Sequence, residues 1–351
     1  MTHPQPRPGL RDVEPYAAPQ LDVKARLNTN ECPYPLPDAF RDELAEAVRA
    51  QTLNRYPDRE ALELRTALAQ LSDHDVEGTW VANGSNEVLQ QLLQAYGGPG
   101  RRVVLFDPTY AMHERIAWVT DSLVVKVPLE PPWRITPVEM VRKHHEGHPA
   151  VVIVCSPNNP TGNAQDPHIV AAAAELVPNE LFIVDEAYIE FGGESAARYV
   201  KRFPNIVVVR TFSKAFALAG ARIGYCLASP EVVEDLRRVR LPYHLSALTQ
   251  AAGLVALRHR QDALAILDAV REQRERILEA LPSLGVEAFP SDANFVLFRP
   301  PGDAAAAWRG LLDRGVLVRD FTTSIPGALR VTAGTPEEVD LFLSALEEVL
   351  T

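Results

Sequence analysis

Lys214 has unusual neighbours for a lysine. The stretch RTFSKAFALAGARIG, Arg210 to Gly224, surrounds it with small, apolar and hydroxyl side chains and follows the apolar run from Ile206 to Val209. Most lysines sit in water, but this setting does not read as a surface. Partial desolvation disfavours the ammonium, lowers the pKa and leaves a usable amine nucleophile. Arg222 adds a fixed positive charge a few residues on, and Thr211 and Ser213 add hydroxyl donors.

Three other clusters complement that amine. Asp185 ends the apolar run LFIVD. A carboxylate there suits a cationic ring nitrogen or a metal, though an ordinary turn or helix cap fits it as well. A metal site wants several ligands together, and no histidine stands at useful spacing. Asn83-Gly84-Ser85-Asn86 lies between a strand-like and a helix-like segment, where backbone N–H groups receive an anion or a polar side chain simply caps the helix. It is not a GxGxxG pattern and does not indicate a dinucleotide. Tyr110 and Tyr188 each follow an apolar run, placed to stack on a planar ligand or to pack half-buried. An amine for a Schiff base, an acid for a pyridinium nitrogen, an aromatic face and a phosphate cradle are what pyridoxal phosphate needs.

The elements that must position these groups alternate. TWVA precedes NGSNE, VVLF precedes DPTY, VVIVC precedes SPNNPTG, LFIV precedes DEAY, and IVVVR precedes TFSK. Apolar runs that are short, rich in β-branched residues and barely alternating read as strands buried on both faces of a parallel sheet. Helical spacing separates most of them, over 88–96, 110–118, 137–145 and 165–177. The pattern predicts an α/β fold with a mostly parallel central sheet and helices on both faces. Each polar cluster follows the carboxyl end of its run, the edge where open α/β sheets bind ligands. Residues 1–37 are proline-rich and predict an extended N-terminal arm. Helices are expected over 38–50 and 60–71, and a long one from Ala247 to Leu281. VEAF, NFVLF, VLVRD and ALRVT, with helices near 303–313 and 335–350, predict a second, smaller α/β domain. We therefore expect an arm over 1–37 that is part of the small domain, a large cofactor domain over 38–245 and the small C-terminal domain over 246–351.

Bulk properties narrow the classes. The chain has 351 residues with a net charge of -11 and no basic run. A binder of phosphate backbones needs clustered Lys and Arg, so nucleic acid is not expected as a partner. The three cysteines, Cys32, Cys155 and Cys226, show no CxxC spacing and read as small buried hydrophobes in a reducing compartment. No apolar stretch has the length of a signal peptide or a membrane span, which predicts a cytoplasmic protein.

With SPNNPTG, VDEAY and TFSKAFALAGARIGY in place, the chain resembles the fold-type I pyridoxal-phosphate aminotransferases over nearly its whole length. GLRDVEPY, LNTNECPYPLP, NRYPD, NGSNEVL, LRRVRLPYHLSALTQAA, PSDANFVLF, and GVLVRD followed by ALRVTAGT resemble the branch of that family acting on L-histidinol phosphate. The resemblance implies that Lys214 is the Schiff-base lysine and that Asp185 pairs with the pyridine nitrogen. It implies that Asn159 and Tyr188 hydrogen-bond the ring 3-oxygen and that Tyr110 stacks on the ring. Gly84, Ser85, Asn86, Thr211, Ser213 and Arg222 would hold the phosphate. Tyr56 would reach the phosphate of a neighbouring subunit's cofactor, implying a homodimer. Arg319, Arg330 and Tyr16 would hold the substrate phosphate, with Asn30 and Asn159 beside them. The implied reaction passes the amino group to 2-oxoglutarate, giving glutamate. An aromatic or broad-range aminotransferase and a decarboxylase of a phosphorylated amino acid share the cofactor motifs. A regulator without turnover would need a DNA-binding module that the short arm does not supply. Cys32 and His244 stand where the family more often has asparagine.

Overall fold

The computed structural model describes the chain apart from residues 1–3, 6, 8–9, 11–12, 14, 16–18, 138–139 and 141–149. Strands numbered along the chain fall into two sheets. The first strand, β1 (Ala25–Leu27), belongs to the smaller one. The larger contains β2 (Thr79–Ala82), β3 (Arg102–Asp107), β4 (Leu123–Pro128), β5 (Val151–Cys155), β6 (Leu181–Asp185), β7 (Ile206–Thr211) and β8 (Gly224–Leu227), in the order β2-β8-β7-β6-β5-β3-β4. The β3–β4, β3–β5, β5–β6 and β6–β7 pairs are parallel. β8 runs antiparallel to both β7 and β2, so β2 points the same way as β3, β5, β6 and β7.

The unbroken apolar runs are explained by what lies on either face. In β6 and β7, Phe182, Val184, Ile206 and Val208 enter one core, and Leu181, Ile183, Val207 and Val209 enter the other. A period-2 backbone between two apolar layers needs an apolar residue at every position. Each such side chain contributes roughly 1.5–3 kcal/mol when fully buried. Helices supply the layers. Pro167–Leu176 begins at Asp166, whose side chain accepts from His168 N at 2.9 Å, with proline in the first turn.

The second sheet has the order β1-β11-β12-β10-β9, with β9 (Glu287–Ala288), β10 (Phe295–Arg299), β11 (Val316–Asp320) and β12 (Leu329–Thr332). Its core joins Leu27, Ile277, Val296, Phe298, Val318 and Phe342. The closing helix Pro336–Leu350 starts with a capping box between Thr335 and Glu338.

Several expectations are corrected. Within the arm, where no strand was expected, β1 pairs in parallel with β11. The long helix is two, Ala247–Arg258 and Arg260–Ala280, broken at His259, whose ring is held by Glu43 at 2.7 Å and Asp262 at 3.0 Å. Among the elements not anticipated are β4 and helix Pro230–Val239. β4 is a half-exposed edge strand containing a lysine. Helix Pro230–Val239 carries a legible start, with Ser229 Oγ accepting from Val232 N at 3.4 Å ahead of a first-turn proline. The helix expected over 137–145 falls mostly outside the described residues.

Candidate active site

The loops after β2, β3, β5, β6 and β7 meet at one edge of the large sheet, as their polar clusters predict. There they border a cavity of about 220 Å³, closed on the other side by residues 28–31 and by Arg319, Phe321 and Arg330. Asn30, Ser85, Asn86, Tyr110, Asn159, Asp185, Tyr188, Thr211, Ser213, Lys214, Arg222, Arg319 and Arg330 all line it.

Lys214 follows β7, and its Nζ donates to the carbonyls of Thr29 at 3.0 Å and Asn30 at 2.8 Å. Burial, with Arg330 nearby, lowers its pKa to about 7. Neutral carbonyls solvate an ammonium without holding it as a carboxylate would, so the amine is available near neutral pH.

Asp185, only 2% exposed, ends β6. Its Oδ2 lies 2.9 Å from His113 Nε2, and its Oδ1 accepts from Ala187 N at 3.2 Å. His113 Nδ1 is 3.4 Å from Thr109 Oγ1, which donates to Asn158 Oδ1 at 3.1 Å. Sequence reasoning missed His113. The available signal was its spacing from Tyr110, which puts it one turn into helix Ala111–Val119 on the side facing the sheet edge. The Tyr110 ring meets the His113 ring edge-on at 5.4 Å.

The anion cradle lies between Gly84 and Arg222. Gly84 has φ 82, and a Cβ there would stand 2.5 Å from Arg222 Nη2, so only glycine lets the guanidinium come this close. A Cβ on Gly224 would sit 2.2 Å from Ser85 N, so a second glycine lets β8 reach the loop. Arg222 Nη1 donates to Ser213 Oγ at 3.3 Å, and Thr211 Oγ1 donates to Ser213 Oγ at 3.0 Å. Helix Ser85–Tyr96 starts here with no side-chain cap on its first turn. Asn86 Oδ1 is buried with no hydrogen-bond partner among the described residues.

The opposite wall is polar and tightly connected. Arg330, 5% exposed, lies between the rings of Phe295 at 4.8 Å and Phe321 at 5.1 Å. Its Nη1 donates to Asn159 Oδ1 and its Nη2 to the Asn28 carbonyl at 2.9 Å. Arg319 faces it across the β11–β12 pair. The Tyr188 hydroxyl accepts from Asn30 Nδ2 at 2.9 Å and Asn159 Nδ2 at 3.4 Å, and burial raises its pKa, keeping it protonated. Cys155 lines the cavity in register with Asp185, whereas residue type alone made it a packing residue. Tyr56 does not line its own chain's cavity: it is 79% exposed and stacks on Tyr243 at 4.3 Å. Tyr16 lies outside the described residues. His244 is structural, with Nε2 2.9 Å from the Val81 carbonyl and its ring stacked on Trp80.

These residues fit pyridoxal phosphate. The glycine-formed cradle beside Arg222 and the orphan Asn86 Oδ1 lie at one end. A carboxylate backed by histidine, an amine with lowered pKa and an aromatic ring surround the rest.

Comparison with known proteins agrees with this geometry. The family model of class I and II aminotransferases matches residues 22–346. A Frankia casuarinae protein named histidinol-phosphate aminotransferase is 49% identical, covering 98% of this chain and 90% of its own. A Streptomyces avermitilis protein of that name is also 49% identical, covering 98% and 96%. The solved Sinorhizobium meliloti histidinol-phosphate aminotransferase, in complex with pyridoxal-5'-phosphate, has a TM-score of 0.89 at 24% identity, covering 99% of this chain and 98% of that one; it establishes the fold. The chain belongs to the class I and II aminotransferases and, within them, to the histidinol-phosphate aminotransferases.

Proposed function

We propose that the chain moves the amino group of L-histidinol phosphate to 2-oxoglutarate, giving imidazole acetol phosphate and L-glutamate, with pyridoxal phosphate as cofactor, in histidine biosynthesis. One observation carries this reading: the cavity joins the Lys214 amine and the Asp185 carboxylate to two arginines from the small sheet, Arg319 and Arg330.

When bound, pyridoxal phosphate supplies an aldehyde for the amine and a ring that withdraws electrons from the substrate carbon. Gly84, Ser85, Asn86, Thr211, Ser213 and Arg222 bind its phosphate. Asp185, steadied by His113, presents a carboxylate to its ring nitrogen. Tyr110 covers the ring face, and Asn159 and Tyr188 meet the ring oxygen. Lys214 Nζ would take up the proton leaving the amine-bearing substrate carbon and deliver it to the carbon that was the cofactor's aldehyde. Arg319 and Arg330 offer forked donors to the substrate phosphate, with Asn30 and Tyr16 completing that end.

Tyr56 serves a neighbouring subunit in a homodimer. Its exposed ring stacks on exposed Tyr243, and Leu53 and Leu241, each within three residues of one of these rings in sequence, are exposed as well, an apolar surface suited to a second copy. Arm, large domain and small domain, divided near residues 37 and 245, are the working units. No helix among the described residues is long and apolar enough to cross a membrane, and we place the enzyme in the cytoplasm.

The test is one half-reaction. L-Histidinol phosphate or L-phenylalanine is mixed with cofactor-loaded enzyme without an acceptor, and the cofactor absorbance is followed. The expected result is conversion by histidinol phosphate at a concentration at least about tenfold lower, ~1.4 kcal/mol in its favour. Preference for phenylalanine would overturn the substrate and make Arg330 a carboxylate reader.

A further inference from the structure

Behind the cavity lies a buried ion pair that the reaction does not use. Glu186 directly follows Asp185, and Arg210 directly precedes Thr211. Asp185 and Thr211 line the cavity, whereas their two neighbours do not. Glu186 N donates to the Val209 carbonyl at 2.8 Å, continuing the β6–β7 ladder past its last paired residues. Arg210 donates to Glu186 Oε2 through Nε at 3.0 Å and Nη2 at 2.9 Å.

The rest of the network closes on the same two side chains. Arg210 Nη2 also donates to Ser195 Oγ at 2.8 Å, and Ser195 Oγ donates to Glu186 Oε2 at 2.8 Å. Ala196 N donates to Glu186 Oε1 at 2.6 Å. Across the β7–β8 pair, Tyr225 is the register partner of Arg210. Tyr225 follows Gly224, which packs against the Gly84–Ser85 backbone. The Glu186 and Arg210 side chains are 1% and 16% exposed.

Glu186, Arg210 and Tyr225 therefore sit on β6, β7 and β8, or directly at their ends, and Glu186 and Arg210 are each adjacent in sequence to a residue lining the cavity. A buried ion pair is a poor stabiliser, since apolar replacements of similar volume are often neutral or better. It does impose one geometry, because a forked guanidinium fixes direction as well as distance.

We propose that Glu186 and Arg210 are positioning residues that set the spacing between the acid for the cofactor ring and the donors for its phosphate. The pair ties the ends of β6 and β7 from behind and reaches β8 through Tyr225, so Asp185, Thr211 and the Gly84 loop keep one separation. This rests on the cofactor assignment above.

The test titrates pyridoxal 5'-phosphate into the cofactor-free full-length chain. Wild type is compared with Glu186→Gln, Arg210→Lys and the double variant Glu186→Met/Arg210→Met. Folding is checked by circular dichroism and the thermal midpoint. Kd for the cofactor, the pH at which the bound-cofactor absorbance titrates, and separate kcat and KM values are then measured. The expected result is folded variants whose cofactor Kd rises by about tenfold. The absorbance titration shifts, and kcat falls while KM for L-histidinol phosphate stays within about twofold. Folded variants with the wild-type Kd and titration overturn the proposal. So does failure of all three to fold, because the pair then serves folding alone. Wild type that takes up no cofactor would break the underlying assignment instead.

Discussion

At the cofactor end of the cavity, Asp185 and Thr211 end adjacent strands of one sheet, and Ser213, Lys214 and Arg222 lie on the loop between β7 and β8. At the other end, Arg330, Asn159 and residues 28–30 come from distant parts of the chain. Arg222 and Ser213, which hydrogen-bond each other, are 9 residues apart. Arg330 and its two partners are separated by 171 and 302 residues. The first end is fixed once the parallel sheet forms. The second exists only when β1, the small sheet and the SPNNPTG loop close on one another. Substitutions at the two ends should therefore have separable effects, one on cofactor binding and chemistry, the other on substrate binding.

The largest effect is expected at the contact between the ends. Lys214→Ala removes the proton carrier and should lower kcat by roughly 10²–10⁴. It also removes the two bonds to the Thr29 and Asn30 carbonyls. Single-turnover kinetics on protein shown to be folded would measure this, and near-normal turnover would remove Lys214 from the chemistry.

Arg330→Ala sharpens the comparison. Loss of charge-assisted contacts, about 1.5–3 kcal/mol, should cut kcat/KM for L-histidinol phosphate by about 10–150-fold. Cofactor Kd should stay within about twofold. An equal fall in cofactor affinity would show that the ends are not separable.

His113→Phe is the reciprocal change. It leaves Asp185 Oδ2 without its 2.9 Å partner, at a cost of ~1–3 kcal/mol. Cofactor affinity and kcat should drop by about tenfold with KM for histidinol phosphate little changed. A change in KM alone would contradict the assignment.

The smallest effect is set by pH. The pKa of Lys214, near 10.5 for a free side chain, is lowered to about 7 in the cofactor-free protein. Between these values the unfolded chain binds a proton that the folded chain does not, so this lysine's contribution to stability rises with pH across that window. The free amine also forms on rising through about 7. Stopped-flow uptake of pyridoxal phosphate should thus be about tenfold faster at pH 8 than at pH 6. Uptake still climbing steeply at pH 9 would contradict the lowered value.

Much of this was legible before any coordinates. β5, β6 and β7 read as buried because they are apolar at every position up to Cys155, Val184 and Val209, and a site reads at their ends because polarity begins where each run stops. β4 escaped because an edge strand tolerates Lys126 and loses the signature of burial on both faces. His113 escaped because a histidine in a helix looks the same whether it faces solvent or a carboxylate.

What the sequence by itself determined was the alternation of buried strands and helices, the buried setting of Lys214 and the edge at which the polar clusters gather. Those follow from local rules, with burial enforcing the periodicity and β-strands delivering their loops to a shared edge. Tertiary structure alone decided that Arg330 lies between Phe295 and Phe321, that Asn30 meets Tyr188, and that His113 backs Asp185. Each of these is a pairing between segments far apart in the chain. Its energy comes from desolvating both partners together, and neither segment carries a mark of the other until they are packed.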